Sequence, residues 1–340
     1  MNFLNTAKEA LAALLERKEE LEDLVKAKTE RVHQLSQPQI VLSNTESISN
    51  KMRACFYLRS ENTDAAAMVL LRVTAKKGES VLLRHEAGYC LGQMKRDCVQ
   101  AGLQQVLQDC TDDAIVRHEC AEALGSIGNP VCIPLLEQIA NNPGETREVR
   151  ETCEIALDRF KDLGEGFDKS LGEEEGFNTS DPAIASKAAV GKRVAQVCEL
   201  EADMSDLESS LYERYKAMFA LRNRSMFAKT DKEKEDAVLA LSRGLLDDKQ
   251  GALFRHEVAF VLGQVSHPAS VPYLKQAMAD LTLHDMVRHE AAEALGGVGN
   301  EESLAALEGY LANNAEAVIV RESCEVALDA AEYWKEFEQK

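Results

Sequence analysis

The chain has 340 residues, 45% of them hydrophobic and 29% charged, with a formal net charge of −19. That composition fits an ordered, soluble protein; the acidity excludes phosphate-backbone binding, which needs a basic footprint, so no nucleic acid partner is expected. No apolar run approaches the roughly 20 residues that cross a bilayer, so no membrane partner is expected either. The acidic surface suits a basic partner. The nine cysteines include no C-x-x-C pair, and reduced thiols in a cytoplasmic protein are the simplest account.

Residues 1–35 read as one amphipathic helix. Leu4, Leu11, Val25 and Val32 share one heptad position and Leu14, Leu21 and Leu35 another, but Lys18 and Lys28 interrupt the seam. A helix lying on its own domain, or a loosely attached extension, is favoured over a coiled-coil strand, and a monomer is expected. Residues 36–50, with Pro38 and several Ser and Asn, read as a linker. Together they form an N-terminal extension, 1–50.

From residue 51 a repeat of 33 residues is visible. Val116-Arg117-His118-Glu119-Cys120 returns as Val149-Arg150-Glu151-Thr152-Cys153, and Val287-Arg288-His289-Glu290 as Val320-Arg321-Glu322-Ser323. Within a unit, an apolar-periodic segment closes on Gly128, Asn129-Pro130 follows, and a second periodic segment begins at Ile133. Glycine suits a helix end and proline a helix start. The predicted fold is all-α: an α-solenoid of HEAT-like helical hairpins. Residues 117–129 and 288–300 agree at 10 of 13 positions, and 84–94 and 255–265 at 6 of 11. The solenoid is therefore read as two pseudo-symmetric halves, 51–160 and 196–340, each of about four hairpins. The acidic, glycine-bearing stretch 161–195 between them is predicted to run outside the packed helices and let the two arms face each other.

Four His-Glu pairs mark this framework: His85-Glu86 and His118-Glu119 stand 33 residues apart, as do His256-Glu257 and His289-Glu290. Each follows an arginine. The third repeat of each half keeps Arg150 or Arg321 but has Glu151-Thr152 or Glu322-Ser323 instead. Arginine thus tracks the scaffold, as an ion-pair ladder would, whereas His-Glu tracks something else. Neighbouring helices pack about 10 Å apart, so two imidazoles and two carboxylates per half can converge. That donor set suits a divalent metal with open positions, and two facing halves make a two-metal centre. Spacing does not choose between iron or manganese for oxygen chemistry and a zinc pair for hydrolysis. His33, His267 and His284 have no repeat counterparts and read as surface or capping residues. Tyr89 and Phe260 occupy matching positions; core packing is favoured for both over lining the cleft. No phosphate loop or nucleophile elbow is present.

The contexts RHEAGYCLGQM, VRHECAEALGSIGNP, LFRHEVAFVLGQV and MVRHEAAEALGGVGN, with RESCEVALD near the end, resemble the deoxyhypusine hydroxylase family over about 51–335. The stretch 212–222 and Asp181-Pro182 fit the same pattern. The resemblance implies a HEAT-repeat monooxygenase with two Fe(2+) ions, dioxygen as co-substrate and an external reductant. The reaction would hydroxylate the deoxyhypusine side chain on a basic loop of a eukaryotic translation initiation factor. His85, His118 and Glu119 would hold one iron, and His256, His289 and Glu290 the other. Glu86 and Glu257 would stand at the cleft edge, either binding the substrate amine as catalytic carboxylates or completing the metal environment. Competing readings are a non-enzymatic HEAT scaffold, a phycobilin-lyase-like protein and a dinuclear hydrolase.

Overall fold

The computed structural model describes residues 35–164, 179–183 and 196–338. The expected helix over 1–35 and His33 lie almost wholly outside them. Among the described residues there is no β-strand, and no helix is long and apolar enough to cross a membrane.

The N-terminal half contains α1 (Gln37–Val41), α2 (Ile48–Glu61), α3 (Asp64–Thr74), α4 (Val81–Met94), α5 (Gln100–Gln108), α6 (Ala114–Ile127), α7 (Ile133–Ala140) and α8 (Arg147–Leu163). The C-terminal half contains α9 (Val197–Ser205), α10 (Leu211–Met226), α11 (Asp231–Leu246), α12 (Ala252–Val265), α13 (Val271–Ala279), α14 (Asp285–Val298), α15 (Glu301–Leu311) and α16 (Val318–Glu338). Residues 36–50 are therefore not a plain linker, since α1 and the start of α2 fall inside them. In each half the eight helices pair as four hairpins, α1–α2 through α7–α8 and α9–α10 through α15–α16, the number expected.

Local chemistry sets these boundaries. Ser47, Thr63, Ser80, Asp113, Ser210, Thr230 and Asn300 each accept a backbone N–H at a helix start, satisfying amides that have no partner within the helix. His267 and His284 do the same through their rings, which is the capping role expected of them. Gly128 and Gly299 end α6 and α14 in the left-handed conformation, at φ 71° and 62°, where glycine carries no Cβ penalty.

Eight helices, α2, α4, α6, α8, α10, α12, α14 and α16, form an inner layer in which each packs on the next. Glycines make the approach close: a Cβ on Gly92 would stand 3.0 Å from the Ala123 Cα, and one on Gly263 3.1 Å from the Ala294 Cα. The arms meet at both ends, α8 against α10 and α12, and α16 against α2, so the solenoid closes into a ring. At the second seam Ser49, Arg53 and Tyr57 face Glu325, Asp329 and Tyr333 in register, at 3.4, 3.2 and 3.3 Å.

The arginine ladder runs through the core. Arg84, Arg117 and Arg288 each donate to a carbonyl ten residues earlier, of Thr74, Leu107 and Met278. Each also grips a carboxylate 28 residues later, Asp112, Glu145 or Glu316, through two nitrogens. Lys51 and Glu79 repeat the rung one unit earlier, at 2.9 Å. Arg255 keeps the carbonyl, of Leu245, but Leu283 stands where the acid would be. Buried bidentate pairs of this kind fix the register between successive repeats.

Candidate metal centre

The four His-Glu pairs lie on α4, α6, α12 and α14, and the ring brings all eight residues to its interior, each less than a tenth exposed. The imidazole centroids of His85 lie 5.3, 5.8 and 5.3 Å from those of His118, His256 and His289. His118–His256 and His256–His289 are 5.3 and 5.5 Å apart. Residues from both halves thus share one cluster.

The polar atoms there are poorly matched to each other. His85 Nδ1 lies 3.1 Å from Glu86 Oε1 in a hydrogen bond, and its Nε2 lies 3.2 Å from Glu119 Oε2 without hydrogen-bond alignment. His256 Nε2 is 3.4 Å from Glu290 Oε2. His85 Nε2 and both nitrogens of His118, His256 and His289, seven of the eight ring nitrogens, have no hydrogen-bond partner among the described residues. Buried polar atoms are ordinarily bonded, and each neutral imidazole in this cluster offers one nitrogen lone pair with nothing to accept it. A divalent cation supplies one. Three groups hold ligand atoms within 4.8 Å of one another: His85, His118 and His256; His256, His289 and Glu290; and His118, Glu119 and Glu122. The donor set fits a metal.

Protonation follows burial. Desolvation, then the positive charge of neighbouring imidazoles, pushes His118, His256 and His289 well below the usual histidine range, which leaves them neutral and able to ligate. Burial pushes His85 the same way, but the Glu119 and Glu86 carboxylates outweigh it and hold it well above that range. Burial, then crowding by like charge, raises Glu86, Glu257 and Glu290. A site that crowds carboxylates against neutral imidazoles favours a cation.

A cavity of about 200 Å³ opens onto the cluster. It is lined by Phe56, Arg59, Tyr89, Phe260 and the carboxylates Glu86, Glu119, Glu122, Glu257, Glu290 and Glu293, with His85 and His256. Tyr89 and Phe260 pack on the core as expected, but they also form this wall, their rings 5.8 Å apart. Glu86 and Glu257 line the cavity and belong to none of the three ligand groups.

Glu122 and Glu293 are site residues that the sequence reading passed over. Each lies four residues after a histidine, His118 or His289, and so on the same helix face. The matching positions after His85 and His256 are Tyr89 and Phe260. Comparing the i+4 position across the four units is the signal that finds them.

Fold and site together define an α-solenoid HEAT-repeat protein with an internal histidine–carboxylate centre. Residues 68–158 and 235–329 match the family model for HEAT repeats. The chain is 41% identical to deoxyhypusine hydroxylase of Drosophila melanogaster over 294 residues, 86% of this chain and 90% of that protein. It is 40% identical to that of Danio rerio, with the same shares covered. The structure of human deoxyhypusine hydroxylase in complex with glycerol aligns with a TM-score of 0.76 and 38% identity, covering 91% of this chain and 98% of that one. The chain belongs to the deoxyhypusine hydroxylase family.

Proposed function

We propose that this chain hydroxylates the deoxyhypusine side chain of a eukaryotic translation initiation factor, completing hypusine. Two ferrous ions would sit at the histidine centre, with dioxygen as co-substrate and an external reductant. The observation that carries the reading is the set of buried imidazole nitrogens without partners, in a chain whose relatives are named for this hydroxylation. His85, His118 and Glu119 would hold one ion, and His256, His289 and Glu290 the other. Ferrous ions in such a setting supply the binding and reduction of dioxygen. One oxygen atom enters a C–H bond of the aminobutyl arm; the other leaves as water, with an electron pair and protons drawn from the reductant.

The chain's own residues bind and orient. Deoxyhypusine is a lysine extended by an aminobutyl group, so two amines are separated by methylenes. Glu86 and Glu257 are buried carboxylates at the cavity wall, and Glu257 Oε1 has no hydrogen-bond partner among the described residues. Charge-assisted hydrogen bonds donated by the ammonium groups to these oxygens would fix the arm. Tyr89 and Phe260 offer apolar walls to the methylenes between. Burial of the imidazoles keeps bulk water from the reacting centre. The net charge of −19 favours approach of a basic substrate loop.

The test is iron and zinc analysis of protein purified without added metal, followed by mass spectrometry of a deoxyhypusine-bearing factor incubated with it, reductant and dioxygen. A gain of one oxygen atom on the modified lysine is expected. Iron-loaded protein that yields no such gain overturns the reading.

A further inference from the structure

Five residues of the stretch between the halves are built into the interior rather than running outside it. Asp181 is 2% exposed. Its carboxylate accepts from Arg222 Nη1 at 2.8 Å and Nη2 at 2.6 Å. Its carbonyl accepts from Arg159 Nη1 at 2.8 Å, and Ser180 Oγ accepts from Arg159 Nη2 at 3.3 Å. Gln93 closes a reciprocal pair with the Ser180 backbone: Ser180 N donates to Oε1 at 2.7 Å, and Nε2 donates to the carbonyl at 3.2 Å. Gln264 accepts from Arg222 Nη1 at 2.9 Å and donates to Thr179 Oγ1 at 3.4 Å.

The anchors come in pairs, one from each half. Arg159 lies on α8 and Gln93 on α4; Arg222 lies on α10 and Gln264 on α12. Gln93 stands eight residues beyond His85, and Gln264 eight beyond His256, about 12 Å along the same helix in each case. One short strap is thus fastened to the two helices that carry the first His-Glu pair of each arm. Those arms present six carboxylates to one cavity, and in a low-dielectric interior such groups repel. The seams of α8 with α10 and α12, and of α16 with α2, join the arms at their ends, and the strap ties them together beside the centre.

We propose that Asp181 is a positioning residue: the strap it anchors sets the gap between α4 and α12, and so the spacing of the His85/His118 pair from the His256/His289 pair. Its purpose rests on the metal-centre reading above, whereas its effect on arm spacing does not. Plain glue between the arms would lower the melting temperature when cut. A spacer also changes the distance, and the two are measured separately.

The experiment uses the full chain with Cys110→Ser, and nitroxide labels on Cys98 and Cys198, which are exposed and lie one in each half. In metal-free protein with unchanged helical circular dichroism, Asp181→Asn is expected to broaden or lengthen the distance distribution seen by pulsed dipolar spectroscopy. On loading with ferrous ion, the variant is expected to show a longer or less uniform metal–metal distance by X-ray absorption, and a metal affinity about 10- to 100-fold lower. An unchanged distance distribution overturns the proposal. If Asp181→Asn does not fold, Gln93→Met with Gln264→Met releases the strap while leaving the Arg222–Asp181 pair intact, and the same readouts decide. Wild-type protein that binds no metal, with arms that still spread in the variant, leaves the strap standing and removes the metal reading. Metal-bound wild type with unmoved arms in the variant removes the strap alone.

Discussion

The imidazoles of His118 and His256 belong to opposite halves of the chain, yet their ring centroids lie 5.3 Å apart and their planes 80° apart. Neither ring has a hydrogen-bond partner among the described residues. Leaving buried polar groups unbonded costs about 1–3 kcal/mol each, and a cation on the proposed centre would relieve that cost at the nitrogen it binds. Metal binding there would favour the folded state by linkage, by about 2.7 kcal/mol at a free concentration 100 times the dissociation constant. Calorimetry of chelator-treated protein should show a melting temperature that rises on anaerobic addition of ferrous ion. His118→Ala and His256→Ala should lose most of that rise. A melting temperature indifferent to ferrous ion would remove the centre from consideration.

Glu86 and Glu257 stand apart from the ligand groups, whereas Glu119 and Glu290 are members of them. Glu86→Ala and Glu257→Ala should retain most of their iron and lose turnover with a raised KM, about 10²-fold or more in kcat/KM if each carboxylate orients the arm. Glu119→Ala and Glu290→Ala should lose iron. Metal content of the four variants separates the roles; a Glu86 variant as iron-poor as the Glu119 variant contradicts the division.

Repeat period, helical class and the eight His-Glu residues could be read from residue order because a solenoid writes its neighbours into the sequence at fixed spacing. Arg117 and Glu145 are joined by that logic, 28 residues apart. What lies across the ring is not written there. The α2–α16 seam and the burial of Asp181 against Arg222 both depend on closure, which joins residues that share no repeat position. Glu122 and Glu293 were hidden for another reason: each occurs in only one unit per half, so a search for what all four units share passes over them.

The ladder predicts how the fold responds to acid. Hydrogen bonds from Arg117 and Arg288, opposed by partial burial, hold Glu145 and Glu316 below the usual carboxylate range. For Asp112 burial pushes upward, and the Arg84 hydrogen bonds outweigh it. A carboxylate whose pKa is lower in the folded state stabilises the fold above its unfolded pKa, about 4, and that contribution fades as pH falls through the depressed value. Glu145→Gln should therefore cost about 1–3 kcal/mol at pH 7. The gap between variant and wild type in urea unfolding should narrow below about pH 4. A gap that stays constant down to pH 2 would mean the Arg117 pair is not what holds this rung.

Close approach of the inner helices is what places His85 beside His118, and it can be probed without touching either. On Gly92 a methyl group would meet the Ala123 Cα at 3.0 Å, and on Gly263 the Ala294 Cα at 3.1 Å. Backbone cannot step aside as a side-chain tip can, so overpacking of about 1–3 kcal/mol should outweigh the roughly 1 kcal/mol that alanine gains over glycine within a helix. Gly309, inside α15, has nothing within 4 Å of such a methyl, and only the propensity gain remains there. Gly92→Ala and Gly263→Ala should lower the stability measured by urea unfolding, and Gly309→Ala should raise it by about 1 kcal/mol. The first two should also weaken metal binding, because α4 and α6, or α12 and α14, are pushed apart at the histidines. If all three substitutions stabilise equally, helix propensity governs these positions and the inner layer has slack that the geometry denies.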